Sequence, residues 1–75
     1  MKQHQYHVTV QHLKNPKGEA STYTERLEFY VGNHDDIFEI FERLKKANFF
    51  DDETTKSFGV GLKLFSEVML ENRDH

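Results

Sequence analysis

The chain has 75 residues, of which 13 are acidic and 10 are basic, so its net charge is −3, and it contains no cysteine. This length fits one small domain, residues 1–75, and the lack of cysteine excludes disulfide bonds and thiolate zinc sites. The slightly acidic balance argues against a nucleic-acid partner, and no apolar run approaches the roughly 18 residues that cross a membrane.

The first residues, Met1 to His7, lack the apolar segment that a secretory signal carries. We therefore expect a cytoplasmic protein with no membrane partner. A chain of this size buries only about 60% of its unfolded surface, and small domains often gain stability by oligomerisation.

Two segments with alternating apolar residues predict the strands of an antiparallel hairpin. The first runs from His4 to Leu13 and the second from Tyr23 to Val31. Between them, residues 15–18 have the sequence Asn-Pro-Lys-Gly, which matches a type I turn. The predicted inward-facing residues are Tyr6, Val8, Val10, Tyr23, Leu27, Phe29 and Val31.

A helix is predicted after the second strand. Asn33 is its expected N-cap, and Asp35 and Asp36 fall in the first turn, where the helix dipole favours negative charge. The apolar residues at helical spacing are Ile37, Ile40, Phe41, Leu44 and Ala47. Phe38 lies about 100° from this stripe and has no predicted place in the core.

A second helix is predicted from a cap at Asp51 or Asp52 to about Asn72. Two apolar stripes lie side by side on it, the first made of Phe58, Leu62, Phe65 and Met69, the second of Val60, Leu64 and Val68. Together they cover about half of the helix circumference, or about 180°, whereas a side that faces a core needs an arc of little more than about 100°. The excess predicts a contact with the other helix, a second copy of the chain or another partner.

Two glycines, Gly59 and Gly61, flank Val60 inside this second helix. Each costs up to about 1 kcal/mol relative to alanine, which suggests a close approach to another element. The alternation of Val60, Leu62 and Leu64 also fits a strand. We favour a helix, because the apolar positions continue at helical spacing as far as Met69.

The predicted fold class is therefore α+β, an antiparallel hairpin packed against two helices in the order β-β-α-α. A two-stranded sheet is marginal by itself, and both of its strands have a free edge. Pairing of those edges in a dimer would complete a four-stranded sheet. The spare helix face could instead close a seam between helices.

Two segments, VGNHDDIF from Val31 to Phe38 and GVGLKLFSEVML from Gly59 to Leu70, resemble a family of short bacterial proteins classed as a domain of unknown function. The resemblance extends from the first strand to Arg73. It implies a bacterial source and supports the β-β-α-α order, and it implies no activity, ligand or catalytic residue.

Five histidines invite a metal hypothesis, but their spacing argues against it. His4 and His12 share a strand face yet lie eight residues apart, which is about 27 Å in an extended chain. His7 points to the opposite face, and His34 precedes two acids without further ligands. We therefore predict no metal site.

The acidic pairs, Asp35 with Asp36 and Asp51 with Asp52, stand at predicted helix starts, where capping and the helix dipole explain them. Nothing in the sequence supplies a nucleophile or an oxyanion hole beside them. We predict no catalytic residue, no bound cofactor and no enzymatic activity.

The leading hypothesis is a protein-interaction module, either a homodimer or the binder of an unknown protein partner. The predicted interface residues are Phe38, Val60, Leu64 and Val68. The alternative is a small-ligand or metal-binding protein with a pocket between the hairpin and the helices. The aromatic residues expected to line such a pocket are Tyr6, Tyr23, Phe29, Phe41, Phe58 and Phe65.

Overall fold

The computed structural model of the protein describes residues 2–73, so Met1, Asp74 and His75 of the predicted domain lie outside the described residues. Its elements are strand β1 (His4–Val10), strand β2 (Leu27–Asn33), helix α1 (Ile37–Ala47) and helix α2 (Asp52–Glu71). An antiparallel hairpin followed by two helices confirms the predicted α+β fold. None of the described helices is long and apolar enough to span a membrane.

The two strands pair in the register that their alternating pattern predicts. Tyr6 lies opposite Val31, and Val8 lies opposite Phe29, so these four half-buried side chains share one face of the sheet. Val10, the next residue on this face, is exposed. The inward face of the hairpin is therefore short, and it lies at the end nearer the helices.

The turn at the far end of the hairpin has the predicted form. The backbone N–H of Gly18 donates to the carbonyl of Asn15 at 2.9 Å. Gly18 has a φ of 83°, a conformation that glycine adopts without strain. The side chain of Asn15 accepts from the N–H groups of Lys17 and Glu19, which fixes the tip.

The predicted strand ends were wrong. β1 stops at Val10 instead of Leu13, and β2 begins at Leu27 instead of Tyr23. The cause is a change of register between the last ladder pair, Val10 with Leu27, and an isolated bridge near the tip, Lys14 with Ala20. Three residues (11–13) lie between these two pairs on the first strand's side, and six (21–26) lie between them on the second strand's side. The longer side bulges out of the ladder, so the alternation continues in sequence where the pairing has ended.

Helix α1 begins at a different cap from the one predicted. Asp36, not Asn33, is the N-cap, and its carboxylate accepts from the N–H groups of Phe38 at 3.0 Å and Glu39 at 3.3 Å. The helix ends at Ala47, and its C-cap Asn48 has a left-handed conformation with a φ of 58°. Asparagine tolerates this conformation better than most residues.

Helix α2 has the predicted limits. Asp51 is its N-cap and accepts from the N–H of Thr54 at 2.7 Å, while the N–H of Asn72 closes the last turn on the carbonyl of Val68 at 3.1 Å. The interpretation of residues 60–64 as helix is confirmed.

A tyrosine joins the hairpin to the start of α1. The hydroxyl of Tyr6 donates to the carbonyl of Asp35 and accepts from the N–H of Ile37, both at 2.9 Å. One side chain from the middle of β1 thus positions the first turn of α1.

Candidate functional site

The face of α2 that packs against the rest of the chain is made of small and polar residues. Thr55 is 1% exposed, and Gly59 and Glu67 are also buried, at a spacing that is a multiple of four residues. The hydroxyl of Thr55 donates to the carbonyl of Asp51 at 2.8 Å, so its burial leaves no polar atom unsatisfied. The apolar residues of α2 therefore lie elsewhere on its circumference.

Both predicted apolar stripes of α2 are largely uncovered. The residues with exposed side chains are Phe58, Val60, Leu62, Phe65, Val68, Met69 and Leu70, and Leu64 is half-buried. Within residues 2–73, Ile37 is the one residue with a large hydrophobic side chain that is buried. Contiguous exposed apolar surface of this kind is typical of an interaction site.

The four predicted interface residues lie along one surface, here called the α2 surface. Phe38, which is 74% exposed, and Val60 line a hollow of about 360 Å³ between α1 and α2. They also line, with Leu64, a second hollow of about 250 Å³ against β1. Leu64 and Val68, the latter 56% exposed, line a third of about 520 Å³ between α2 and β2. The predicted residues are thus neighbours around adjoining concave surfaces.

The chain as a whole exposes more surface than a compact domain of its mass. Its accessible surface is 6681 Å² at 8.9 kDa, whereas the usual scaling gives about 4,800 Å², so the excess is about 1,900 Å². Its radius of gyration is 15.0 Å, against about 11 Å for a compact chain of this length. The excess reflects the open hollows beside α2 and the extended hairpin.

The six aromatic residues of the alternative hypothesis do not line one common pocket. Phe29 and Phe65 line the hollow between β2 and α2, while Tyr6 lines the one against β1. The rings of Phe58 and Phe50 lie 5.6 Å apart, and Tyr23 lies beside His12 in the hairpin. Phe41 lines the hollow between the two helices.

A polar cluster joins the end of β2 to α2. Glu67 is 8% exposed, and its Oε1 accepts from the backbone N–H and from the ring Nδ1 of His34, both at 3.1 Å. Its other oxygen, Oε2, is buried, and no hydrogen-bonding group of the described residues reaches it. A buried carboxylate with one unsatisfied oxygen is unusual, because such a group loses its hydration without compensation.

Asn33 is the second buried residue of this cluster and is 2% exposed. Its side-chain nitrogen donates to the carbonyl of Lys63 at 3.0 Å, and its oxygen accepts from the N–H of Asp35 at 2.9 Å. The ammonium of Lys63 in turn lies 3.0 Å from the carboxylate of Asp35. Asn33 therefore connects β2 to the middle of α2.

A hollow of about 190 Å³ opens beside this cluster, lined by Asn33, His34, Asp35, Lys63, Ser66, Glu67 and Leu70. Sequence reasoning noted His34 but gave Glu67 no role. The available signal was the line that Thr55, Gly59, Lys63 and Glu67 form at four-residue intervals, which places them on one face of the helix.

The remaining histidines make contacts within the hairpin. His7 stacks on Tyr30 with ring centroids 4.6 Å apart and contacts Glu28 at 3.1 Å, while His12 lies 2.6 Å from the hydroxyl of Ser21. The stacked pair crosses the hairpin, because His7 and Tyr30 are opposite each other in the two strands. Over residues 2–73, no three His, Asp or Glu side chains are placed to hold a metal ion.

One residue of each acidic pair is the N-cap of a helix: Asp36 caps α1 and Asp51 caps α2. The hydrogen bonds that Asp51 accepts from the backbone and the side chain of Thr54 lower the pKa of its carboxyl from the ordinary 3.8. Asp36 caps α1, and Asp35 pairs with Lys63. Asp36 and Asp51 therefore stabilise helix ends, and Asp35 contributes an ion pair with α2.

The comparisons with known proteins agree with this architecture. The family described as a domain of unknown function with solved structure (DUF3861) matches residues 4–75. A crystal structure of a protein of unknown function from Pectobacterium atrosepticum SCRI1043 is similar, with a TM-score of 0.78 and 32% identity, over 99% of this chain and 77% of that chain. No curated protein matches the sequence. The resemblance expected from the sequence is confirmed.

Proposed function

This chain belongs to the DUF3861 family of unknown function, and we propose from its exposed surfaces that it is a non-catalytic interaction module that self-associates as a homodimer. The observation that carries the proposal is the orientation of α2. This helix packs through Thr55, Gly59 and Glu67 and leaves its apolar stripes in water.

The α2 surface is the proposed centre of the interface. Val60, Leu64 and Val68 follow one another along the helix, and Phe38 extends the surface onto α1. Removing such side chains from water contributes about 25 cal/mol for each Å² of apolar surface. The first stripe of α2 (Phe58, Leu62, Phe65 and Met69) lies beside these residues and is exposed, so the interface has room to widen.

The area argues that the occupant is a second copy. A stable interface removes about 800 Å² from each partner, and permanent homodimers often bury more. The exposed apolar side chains of α2 and Phe38 on α1 provide one apolar surface for such an interface. A homodimer would also provide the hydrophobic core that one copy lacks.

We also propose a bacterial source and a cytoplasmic location. The similar protein from Pectobacterium atrosepticum supports the bacterial source. The cytoplasmic location follows the expectation from the sequence, and fractionation of cells that express the full chain tests it.

Substitutions on the α2 surface test the proposed homodimer. Val68→Asp and Val68→Lys both place a charge at an exposed position, so each should remain folded while the dissociation constant rises about a hundredfold or more, because burying an unpaired charge is costly. If both variants weaken association, the cause is the cost of burying a charge. If only one of them does, the cause is repulsion by a nearby charge of the same sign. Light scattering after size exclusion gives the mass, and circular dichroism confirms the fold.

Leu13→Asp is the matched control, because Leu13 is also an exposed apolar residue but lies in the hairpin away from α2. It should leave the mass of the wild-type protein unchanged. If both Val68 variants keep the wild-type mass at every concentration, the α2 surface is not the interface.

A further inference from the structure

We propose that the polar hollow beside Glu67 binds a small cationic group that carries N–H donors, an alkylammonium or alkylguanidinium. The site consists of the Glu67 carboxylate and the His34 ring, with Leu70 as an apolar wall. The residues that form the site lie within one chain, so the site itself does not require the homodimer.

The acceptors in the hollow favour a donor. Oε1 of Glu67 already contacts the backbone N–H and the ring Nδ1 of His34, whereas Oε2 is buried and has no partner among the described residues. An ionised carboxylate only accepts, so a ligand that carries N–H groups can satisfy Oε2.

The charges favour a cation over an anion. Lys63 is paired with Asp35 at 3.0 Å, and the basic side chain that contacts Glu67 is the ring of His34 at 3.1 Å, so no lysine or arginine of the described residues pairs with the Glu67 carboxylate. A metal ion is a poorer fit, because residues 2–73 provide no group of three His, Asp or Glu ligands. Ammonium and guanidinium groups supply charge and donors together.

The size of the hollow suits a small ligand. Its volume of about 190 Å³ equals that of about six water molecules at about 30 Å³ each, so a short alkylamine fits within it. A short alkyl stem can lie against Leu70. Because Oε2 is buried, binding turns the Glu67 carboxylate about its last side-chain torsion, which is soft, and so brings this oxygen to the hollow.

The test is an NMR titration of the full chain with n-propylammonium chloride and, separately, methylguanidinium chloride. The His34 ring and the amides of residues 33–35 and 66–67 should show saturable shifts, with half-saturation at about 1–10 mM, the affinity typical of so few ligand atoms. Tetramethylammonium chloride at the same concentration carries the charge without a donor and should give no saturable shift. This comparison needs no variant.

Glu67→Gln should raise the half-saturation concentration at least tenfold. Glu71→Gln is the matched control, because it removes an exposed carboxylate one turn further along α2 and should change the value less than twofold. The proposal is overturned if neither N–H cation gives a saturable shift in either the wild-type chain or Val68→Asp. It is also overturned if tetramethylammonium shifts the same resonances equally.

A repeat of the titration with Val68→Asp identifies the source of the cation. Equal binding to this variant and to the wild-type chain supports a free small amine as the ligand. Saturation of the variant alone supports a basic side chain of a second copy as the natural occupant. A monomeric wild-type protein would contradict the homodimer but leave this titration valid.

Discussion

Gly59 lies directly against Leu44, and this contact sets how closely the two helices approach. A Cβ added at Gly59 would lie 3.3 Å from Cδ1 of Leu44, whereas one added at Gly61 would meet no atom within 4 Å. The close approach expected from the paired glycines therefore belongs to Gly59. Gly61 is exposed and has no such role within the chain.

Alanine substitutions at the two glycines should differ in effect. Gly61→Ala should raise the free energy of unfolding by about 0.5–1 kcal/mol, because alanine favours the helix. Gly59→Ala should gain at least about 0.5 kcal/mol less, because Leu44 must shift to admit the new methyl group. Urea denaturation at one fixed protein concentration measures both. Equal gains would show that the helices do not meet at Gly59.

Asn33 should be the most sensitive polar residue of the fold. Asn33→Ala removes its bonds to the Lys63 carbonyl and the Asp35 N–H in a buried place, so we expect a loss of about 1–3 kcal/mol in unfolding free energy. Asn72→Ala is the control, because Asn72 also donates to a carbonyl of α2 but is exposed. Chemical denaturation should show a clearly smaller loss for Asn72→Ala, and equal losses would contradict the structure.

Asp51 should make α2 sensitive to acid. Its hydrogen bonds with Thr54 lower its pKa from 3.8 in the folded state, so its contribution to stability is complete above that value. The contribution is lost as the pH falls through the lower, folded pKa. Asp51→Asn keeps a capping oxygen but cannot titrate. Below about pH 4 the melting temperature of the wild-type chain should therefore fall more steeply than that of Asp51→Asn. A difference between the two proteins that stays constant from pH 7 to pH 2.5 would contradict this role.

Features that depend on neighbouring residues were predictable from the sequence. Asp51 and Asn72 cap the two ends of α2 as predicted, and residues 15–18 form the predicted turn, because caps and turns depend on a few adjacent residues. Exposure of Phe38 also followed from its angle on α1. Asn33 was wrongly predicted as the N-cap of α1, because asparagine and aspartate are equally good N-caps in sequence. In the structure Asp36 is the cap, and the Asn33 side chain instead donates to the carbonyl of Lys63.

Features that depend on distant contacts were not predictable. The hydrophobic pattern located both stripes of α2, but it gave no sign that Thr55, Gly59 and Glu67 would form the packed face, since packed helix faces are usually apolar. The polar hollow was missed for the same reason. It needs Glu67 beside His34, a pair separated by 33 residues in the chain.

Sedimentation velocity of the wild-type chain over a hundredfold range of concentration tests the proposed homodimer most directly. We expect a species of twice the 8.9 kDa chain mass that persists across most of the range, because a second copy would cover the exposed apolar residues of the α2 surface. A folded species of 8.9 kDa at every concentration would contradict the homodimer.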